Sequence, residues 1–124
     1  MATRPSVLVI DDDRELARML SLMLGELAEV TVAHDGTEAL DHLRNGFLPD
    51  AIVSDVMMPK MDGLTLSRFL KRDPRMARIP VILLTAKNGS QDVIAGINAG
   101  ARSYLTKPFK KDELLDKVRR ALGR

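Results

Sequence analysis

The stretch Asp50-Ala51-Ile52-Val53-Ser54-Asp55-Val56-Met57-Met58-Pro59-Lys60-Met61-Asp62-Gly63 decides how the chain is read. Ala51 to Ser54 is a short, mostly apolar run with a polar residue on either side. That is the pattern of a strand buried in a parallel sheet. Asp55 stands where the run ends, and Pro59 prevents simple continuation as strand or helix. Asp62-Gly63 marks a turn, and from Leu64 to about Lys71 the spacing is helical. A carboxylate at the carboxyl end of a buried strand lies where open α/β sheets keep their chemistry. Taken alone, Asp55 fits a turn cap equally well.

The same alternation continues in both directions. Val7 to Ile10 is an uninterrupted apolar run that stops at Asp11-Asp12-Asp13. Leu16, Met19, Leu20, Met23, Leu24 and Leu27 then recur at three- and four-residue spacing, which predicts an amphipathic helix. Val30 to Ala33 reads as a second strand, closed by Asp35-Gly36, and Thr37 to Asn45 as a helix with Ala39, Leu40 and Leu43 inward and Gly46 as its stop. Beyond a connector between Pro74 and Pro80, Val81 to Leu84 is a fourth strand ending at Thr85. A weaker helix over about Ser90 to Ala99 carries Val93, Ile94 and Ile97 but also Gly96 and Asn98, and Gly100 ends it. Ser103 to Thr106 is a short fifth strand before Lys107-Pro108, and a last helix, about Lys110 to Leu122, buries Leu114, Leu115, Val118 and Leu122.

Five continuous apolar strands alternating with helices call for a parallel sheet covered on both faces. Right-handed crossovers leave few topologies, and the expectation is a flavodoxin-like (βα)5 three-layer sandwich with strand order 2-1-3-4-5. With 124 residues and no linker or repeat left over, residues 1–124 are read as a single domain.

Composition narrows the function classes. Without cysteine there is neither a disulfide nor a thiolate metal site. No apolar stretch approaches the roughly 20 residues of a membrane span, and the N-terminus lacks a signal-peptide core, so the expected location is cytoplasmic. Net charge is only +2, with Lys and Arg alternating with Asp and Glu, so direct nucleic-acid binding by this chain is not expected. The basic tracts Lys107 to Lys111 and Lys117 to Arg120 read as solvated helix ends.

In the expected topology the first and third strands are neighbours, and the groups at the strand ends form one site. Asp11, Asp12 and Asp13 follow the first strand, Asp55 the third, Thr85 the fourth and Lys107 the fifth. Adjacent carboxylates resist joint ionisation without a cation, which calls for a hard divalent ion with oxygen ligands: Mg²⁺, or Mn²⁺ in its place. Carboxylate, metal, hydroxyl and ammonium together form a phosphoryl-transfer set. A Gly-x-Gly-x-x-Gly or P-loop nucleotide site follows none of the strands.

Val-Ile-Asp-Asp-Asp at 9–13, Ser-Asp-Val-Met-Met-Pro-Lys-Met-Asp-Gly at 54–63, Leu-Leu-Thr-Ala at 83–86 and Tyr-Leu-Thr-Lys-Pro-Phe at 104–109 resemble the receiver domain of bacterial two-component response regulators, end to end and in order. The resemblance implies that Asp55 is the phosphoacceptor for a histidine kinase or phosphotransfer protein. It implies Asp12 as a direct metal ligand, Asp11 as a ligand largely through water, and the Met57 backbone carbonyl as a further ligand. Thr85 and Lys107 are implied to bind phosphoryl oxygens, Lys107-Pro108 to be a cis peptide, and Tyr104 to turn inward as a switch when Thr85 moves. Met57 and Lys87 are implied to tune the phosphoryl lifetime. The output is the surface of the weak helix, the fifth strand and the last helix, read by a downstream protein or an output domain. Asp13 and Asp62 are read as structural, Asp13 as the cap of the first helix.

One departure stands out. Many DNA-binding regulators carry two acidic residues before the switch aromatic, pairing charges across a dimer, and this chain has Ala101-Arg102-Ser103 there. Two rival readings are a degenerate receiver acting as a static interaction module, and a haloacid-dehalogenase-like phosphatase with Asp11 of Asp11-Asp12-Asp13 as nucleophile. In the main reading the chain is a phosphoacceptor switch, not an enzyme that turns over a separate substrate.

Overall fold

The strand runs become a five-stranded parallel sheet in the order β2-β1-β3-β4-β5. A computed structural model describes residues 4–58, 60–86, 95, 98 and 100–123. Its strands are β1 (Ser6–Ile10), β2 (Glu29–Ala33), β3 (Ala51–Asp55), β4 (Val81–Thr85) and β5 (Ser103–Thr106). Four described helices connect or follow them: α1 (Arg14–Leu24), α2 (Gly36–Arg44), α3 (Gly63–Arg72) and α4 (Lys111–Ala121). Every residue of β3 and β4 is buried, whereas β2 and β5, at the sheet edges, are only partly covered.

Alternation along the strands separates two apolar layers. Val7, Val9, Val53, Ile82 and Leu84 point to one face, where α1 contributes Ala17, Leu20 and Leu24, and α4 contributes Leu114, Leu115 and Val118. Leu8, Ile10, Ile52, Val81 and Leu83 point to the other, against Ala39 and Leu43 of α2 and Leu66 and Leu70 of α3. This is the expected three-layer sandwich.

Three aspartates start three helices in the same way. The Asp13, Asp35 and Asp62 side chains accept from the backbone N–H groups of Leu16, Glu38 and Thr65, each satisfying a donor that the first helical turn leaves free. Asp13 and Asp62 therefore have the capping and turn roles read from the sequence. Several expectations need correction. The first helix stops at Leu24 with Gly25 as its C-cap, so Leu27 lies in the following turn and is only partly buried. Met19 is 46% exposed, and Leu122 is only partly covered beyond the end of α4. The helix expected over 90–99 lies outside the described residues apart from Ala95 and Asn98, both helical, and so do Pro59 and Lys87.

Register sets the functional edge. Ile10 pairs with Ser54, Asp55 with Leu84, and Thr85 with Thr106, so the residues that end β1, β3, β4 and β5 lie along one rim of the sheet. The start of α3 is pressed onto this rim: Gly63 N–H donates to the Val56 carbonyl, and a methyl group at Gly63 would collide with the Asp55 carbonyl oxygen. Gly63→Ala is expected to destabilise the fold by about 2–3 kcal/mol. Urea unfolding checks this, with Gly46→Ala, where a methyl meets nothing within 4 Å but φ is +95°, as the backbone-strain comparison.

Candidate functional site

β1 ends at Ile10 and β3 at Asp55, and their pairing brings the carboxylates of Asp11, Asp12 and Asp55 together, with ligand oxygens all within 4.8 Å of one another. Asp11 is fully buried, Asp55 is 9% exposed and Asp12 is open to solvent. Lys107, just past β5, reaches across the rim. Its Nζ lies 3.3 Å from Asp55 Oδ1 and 3.9 Å from Asp11 Oδ2. The Lys107 backbone N–H donates to the Thr85 carbonyl at 2.8 Å, which anchors the stem of that side chain to β4, and the Lys107–Pro108 peptide is cis.

One ammonium does not balance these charges. Asp11 Oδ1 accepts from the Asp13 N–H at 2.9 Å, but Oδ2 is buried with no hydrogen-bond partner among the described residues. Burial is the main reason that the Asp11 carboxyl is pushed up to about 6; Asp55 and Asp12 push the same way, while the Asp13 N–H and Lys107 oppose. Burial also raises Asp55, against the opposing pull of Lys107 and of the Met57 N–H. The orphaned buried oxygen and the all-oxygen donor set fit a hard divalent cation of the Mg²⁺ type, held by Asp11, Asp12 and Asp55.

Thr85 is 1% exposed, and its hydroxyl lies 3.5 Å from that of Thr106. Tyr104 is 41% exposed, its ring capped by Lys117 with Nζ 5.8 Å from the ring centroid. Tyr104 thus faces outward here, and the inward position belongs to the switch reading. The Met57 side chain is 71% exposed and plays no part in the cluster. Sequence reasoning missed His34, whose Nδ1 lies 3.1 Å from the Asp11 carbonyl oxygen and so steadies the backbone beneath the buried carboxylate. Only the β1–β2 pairing, which sets Ile10 against Ala33, brings the two together.

Residues 7–119 match the family model of the response regulator receiver domain. The chain belongs to that family. The receiver is 42% identical over 122 residues to the DNA-binding response regulator MtrA of Mycolicibacterium paratuberculosis, a match covering 98% of this chain and 52% of MtrA. It therefore spans about half the length of the curated relatives it matches. Its structure superposes with a TM-score of 0.93 on a putative response regulator from Chloroflexus aurantiacus, 40% identical, covering 98% of this chain and 100% of the other. A TM-score of 0.88 and 30% identity relate it to the receiver domain of sensor histidine kinase PA1611 of Pseudomonas aeruginosa, which holds a magnesium ion in its active-site cleft, covering 98% and 100% of the two chains. The acidic cluster of this receiver fits the phosphorylation site of a two-component response regulator. No described helix is long and apolar enough to cross a membrane.

The raised Asp11 carboxyl has a direct consequence for stability. A carboxyl whose folded value lies above its ordinary 3.8 contributes stability at low pH that is lost as pH rises through about 6. In EDTA, wild type is expected to lose stability relative to Asp11→Asn between pH 4 and pH 7. At pH 7 the variant should be the more stable by about 1–2 kcal/mol, because a neutral amide replaces a buried charge that the ammonium shared with Asp55, 3.9 Å away, does not fully balance. Urea unfolding of both proteins across that range checks the sign, and added Mg²⁺ is expected to raise the melting temperature of wild type only.

Proposed function

We propose that this receiver takes a phosphoryl group onto Asp55 from the phosphohistidine of a histidine kinase or phosphotransfer protein. The observation that carries this reading is the Asp55 carboxylate at the open end of β3, 3.3 Å from the Lys107 ammonium and beside Asp11 and Asp12. An Asp55 oxygen attacks phosphorus, the phosphorus–nitrogen bond breaks, and its electron pair returns to the departing imidazole. When bound by Asp11, Asp12, Asp55 and the Met57 carbonyl, Mg²⁺ (or Mn²⁺) supplies neutralisation of the carboxylates and of the incoming phosphoryl charge. Lys107 shifts its ammonium from Asp55 to a phosphoryl oxygen, a short move for a flexible side chain already in contact. Water entering the same site later hydrolyses the acyl phosphate, so the receiver catalyses both its own loading and its own reset.

Phosphorylation adds about two negative charges and three acceptor oxygens at this rim. The Thr85 hydroxyl, only loosely paired with Thr106 at 3.5 Å, turns to donate to one of those oxygens. The space it leaves receives the Tyr104 ring, which moves in from its exposed position under Lys117. The changed face comprises β5, α4 and the segment 90–99, and its reader is a downstream protein or an output domain. For MtrA, described as DNA-binding, about half of the length lies outside the match. The phosphatase alternative gains no support, since its nucleophile would be the fully buried Asp11. The static-module alternative leaves an orphaned buried carboxylate oxygen without a purpose.

Intact-protein mass after incubation with acetyl phosphate tests the reading. A gain of one phosphoryl group is expected with Mg²⁺, and none in EDTA or in Asp55→Ala. A folded wild type that gains nothing, and does not respond to beryllofluoride, would overturn it. The chain has one tyrosine and no tryptophan, so ultraviolet fluorescence reports Tyr104 alone. Beryllofluoride with Mg²⁺ is expected to lower acrylamide quenching of that emission at least twofold, and Thr85→Ala to abolish the change.

A further inference from the structure

The mixture of charge seen over the whole chain fails in one place. From Leu64 to Pro80 there are five cations, Arg68, Lys71, Arg72, Arg75 and Arg78, and one acid, Asp73. This stretch is the body of α3 and the connector to β4. α3 starts at the acidic rim, so its last turn lies about 15 Å away, toward the opposite end of the sheet. There Phe69, Arg72, Asp73 and Pro74 line a cavity of about 350 Å³. Phe69 is 38% exposed, and the Arg44 guanidinium, from the end of α2, lies 5.4 Å from the centre of its ring. Lys71 is occupied in holding the connector through the Ala77 carbonyl, and Arg75 pairs with Asp73 at 3.4 Å. Among the described residues no carboxylate pairs with Arg44, Arg68, Arg72 or Arg78.

We propose that this end of α3 binds single-stranded nucleic acid, with one base in the cavity and the flanking phosphates on the arginines around it. The layout of charge separates the two parts of such a ligand. Asp73 stands in the cavity wall, and the backbone N–H and side chain of Arg75 hold its carboxyl below the usual carboxylate range, so it stays ionised and repels an anion inside. The occupant of the cavity is therefore neutral and flat. The Phe69 ring and the guanidinium over it both offer stacking surfaces, and Asp73 can accept from a base amino group. Outside the cavity, Arg44 and Arg72, with Arg68 one turn before Arg72, supply the charge for phosphates. A duplex keeps its bases stacked within itself and could use only the arginines. An anionic lipid surface or an acidic peptide would bring its charge up to Asp73 and leave the ring without a flat partner. A second copy of the chain, across a two-fold axis, would set the arginines against their own counterparts. The positive charge runs from Arg68 to Arg78, further than a mononucleotide in one cavity needs. This site shares no residue with the phosphoacceptor reading and does not depend on it.

The test uses the full chain and fluorescence anisotropy with labelled probes: single strands of about 12 nucleotides, as DNA and as RNA, the DNA strand annealed to its complement, and a peptide of alternating Glu and Leu. A single strand is expected to bind about tenfold more tightly than the duplex or the peptide, and to weaken as salt rises. Phe69→Leu should cost about fivefold in affinity and leave the slope of log affinity against log salt unchanged, because it removes a stacking surface and no charge. Arg72→Gln should cost about as much and flatten that slope by about 0.7, the counterion release of one phosphate contact on a single strand. Arg119→Gln, the same change of charge on α4, leaves affinity and slope as they are. Circular dichroism confirms that each variant is folded. A duplex or peptide bound as tightly as the strand, a strand indifferent to Phe69→Leu, or no strand binding at all would each overturn the site. In the last case, sedimentation of the protein with phosphatidylglycerol vesicles would assign the arginines to a membrane surface instead.

Discussion

Two carboxylates buried side by side, with one ammonium between them, are the constraint on which this molecule turns. Asp11 and Asp55 sit at the ends of adjacent parallel strands, where burial opposes their charges, and Lys107 answers with a single positive group. With its carboxyl raised by burial, Asp11 is expected to weaken the metal-free fold at neutral pH. In the proposed phosphoacceptor reading, a cation and a phosphoryl group relieve this opposition, so loading changes local electrostatics more than it would at an exposed carboxylate.

The proposed switch draws on a rim whose members belong to different strands. Thr85 and Thr106 are paired neighbours on β4 and β5, and Tyr104 is two residues before Thr106 on the edge strand. In the proposed switch, motion at Thr85 reaches β5 through this pairing, while the β3 and β4 backbones stay buried. Edge position is what leaves Tyr104 room to move, because β5 has a neighbour on one side only. Lys117 of α4 rests on the same ring and also lines a cavity with Arg102 and Arg120.

Much of this was legible in the chain because the relevant signals are local. Apolar runs of four or five residues separated by 3.6-period segments mark strands and helices, and a parallel sheet puts all their carboxyl ends on one rim. Asp55, Thr85 and Lys107 each follow such a run directly, so their convergence could be read before any distance was known. Asp13 and Asp62 could be assigned to structure for the same reason, since a helix cap acts within three residues of itself. Element ends were less readable: apolar Leu27 and Leu122 keep the helical spacing while the backbone has already left the helix.

What the sequence determined by itself was the order of elements, the apolar alternation that makes a two-faced parallel sheet, and the identity of the groups on its rim. Only the tertiary structure decided which of those groups touch. It set Lys107 between Asp11 and Asp55, left one Asp11 oxygen buried without a hydrogen-bond partner among the described residues, put His34 beneath Asp11, and turned Lys117 and Arg120 from a solvated helix end into the wall of a cavity with Arg102. The physical reason is range. Propensity and periodicity act over a few residues, whereas charge and hydrogen bonding depend on separations of a few ångströms between residues as many as 96 positions apart, such as Asp11 and Lys107.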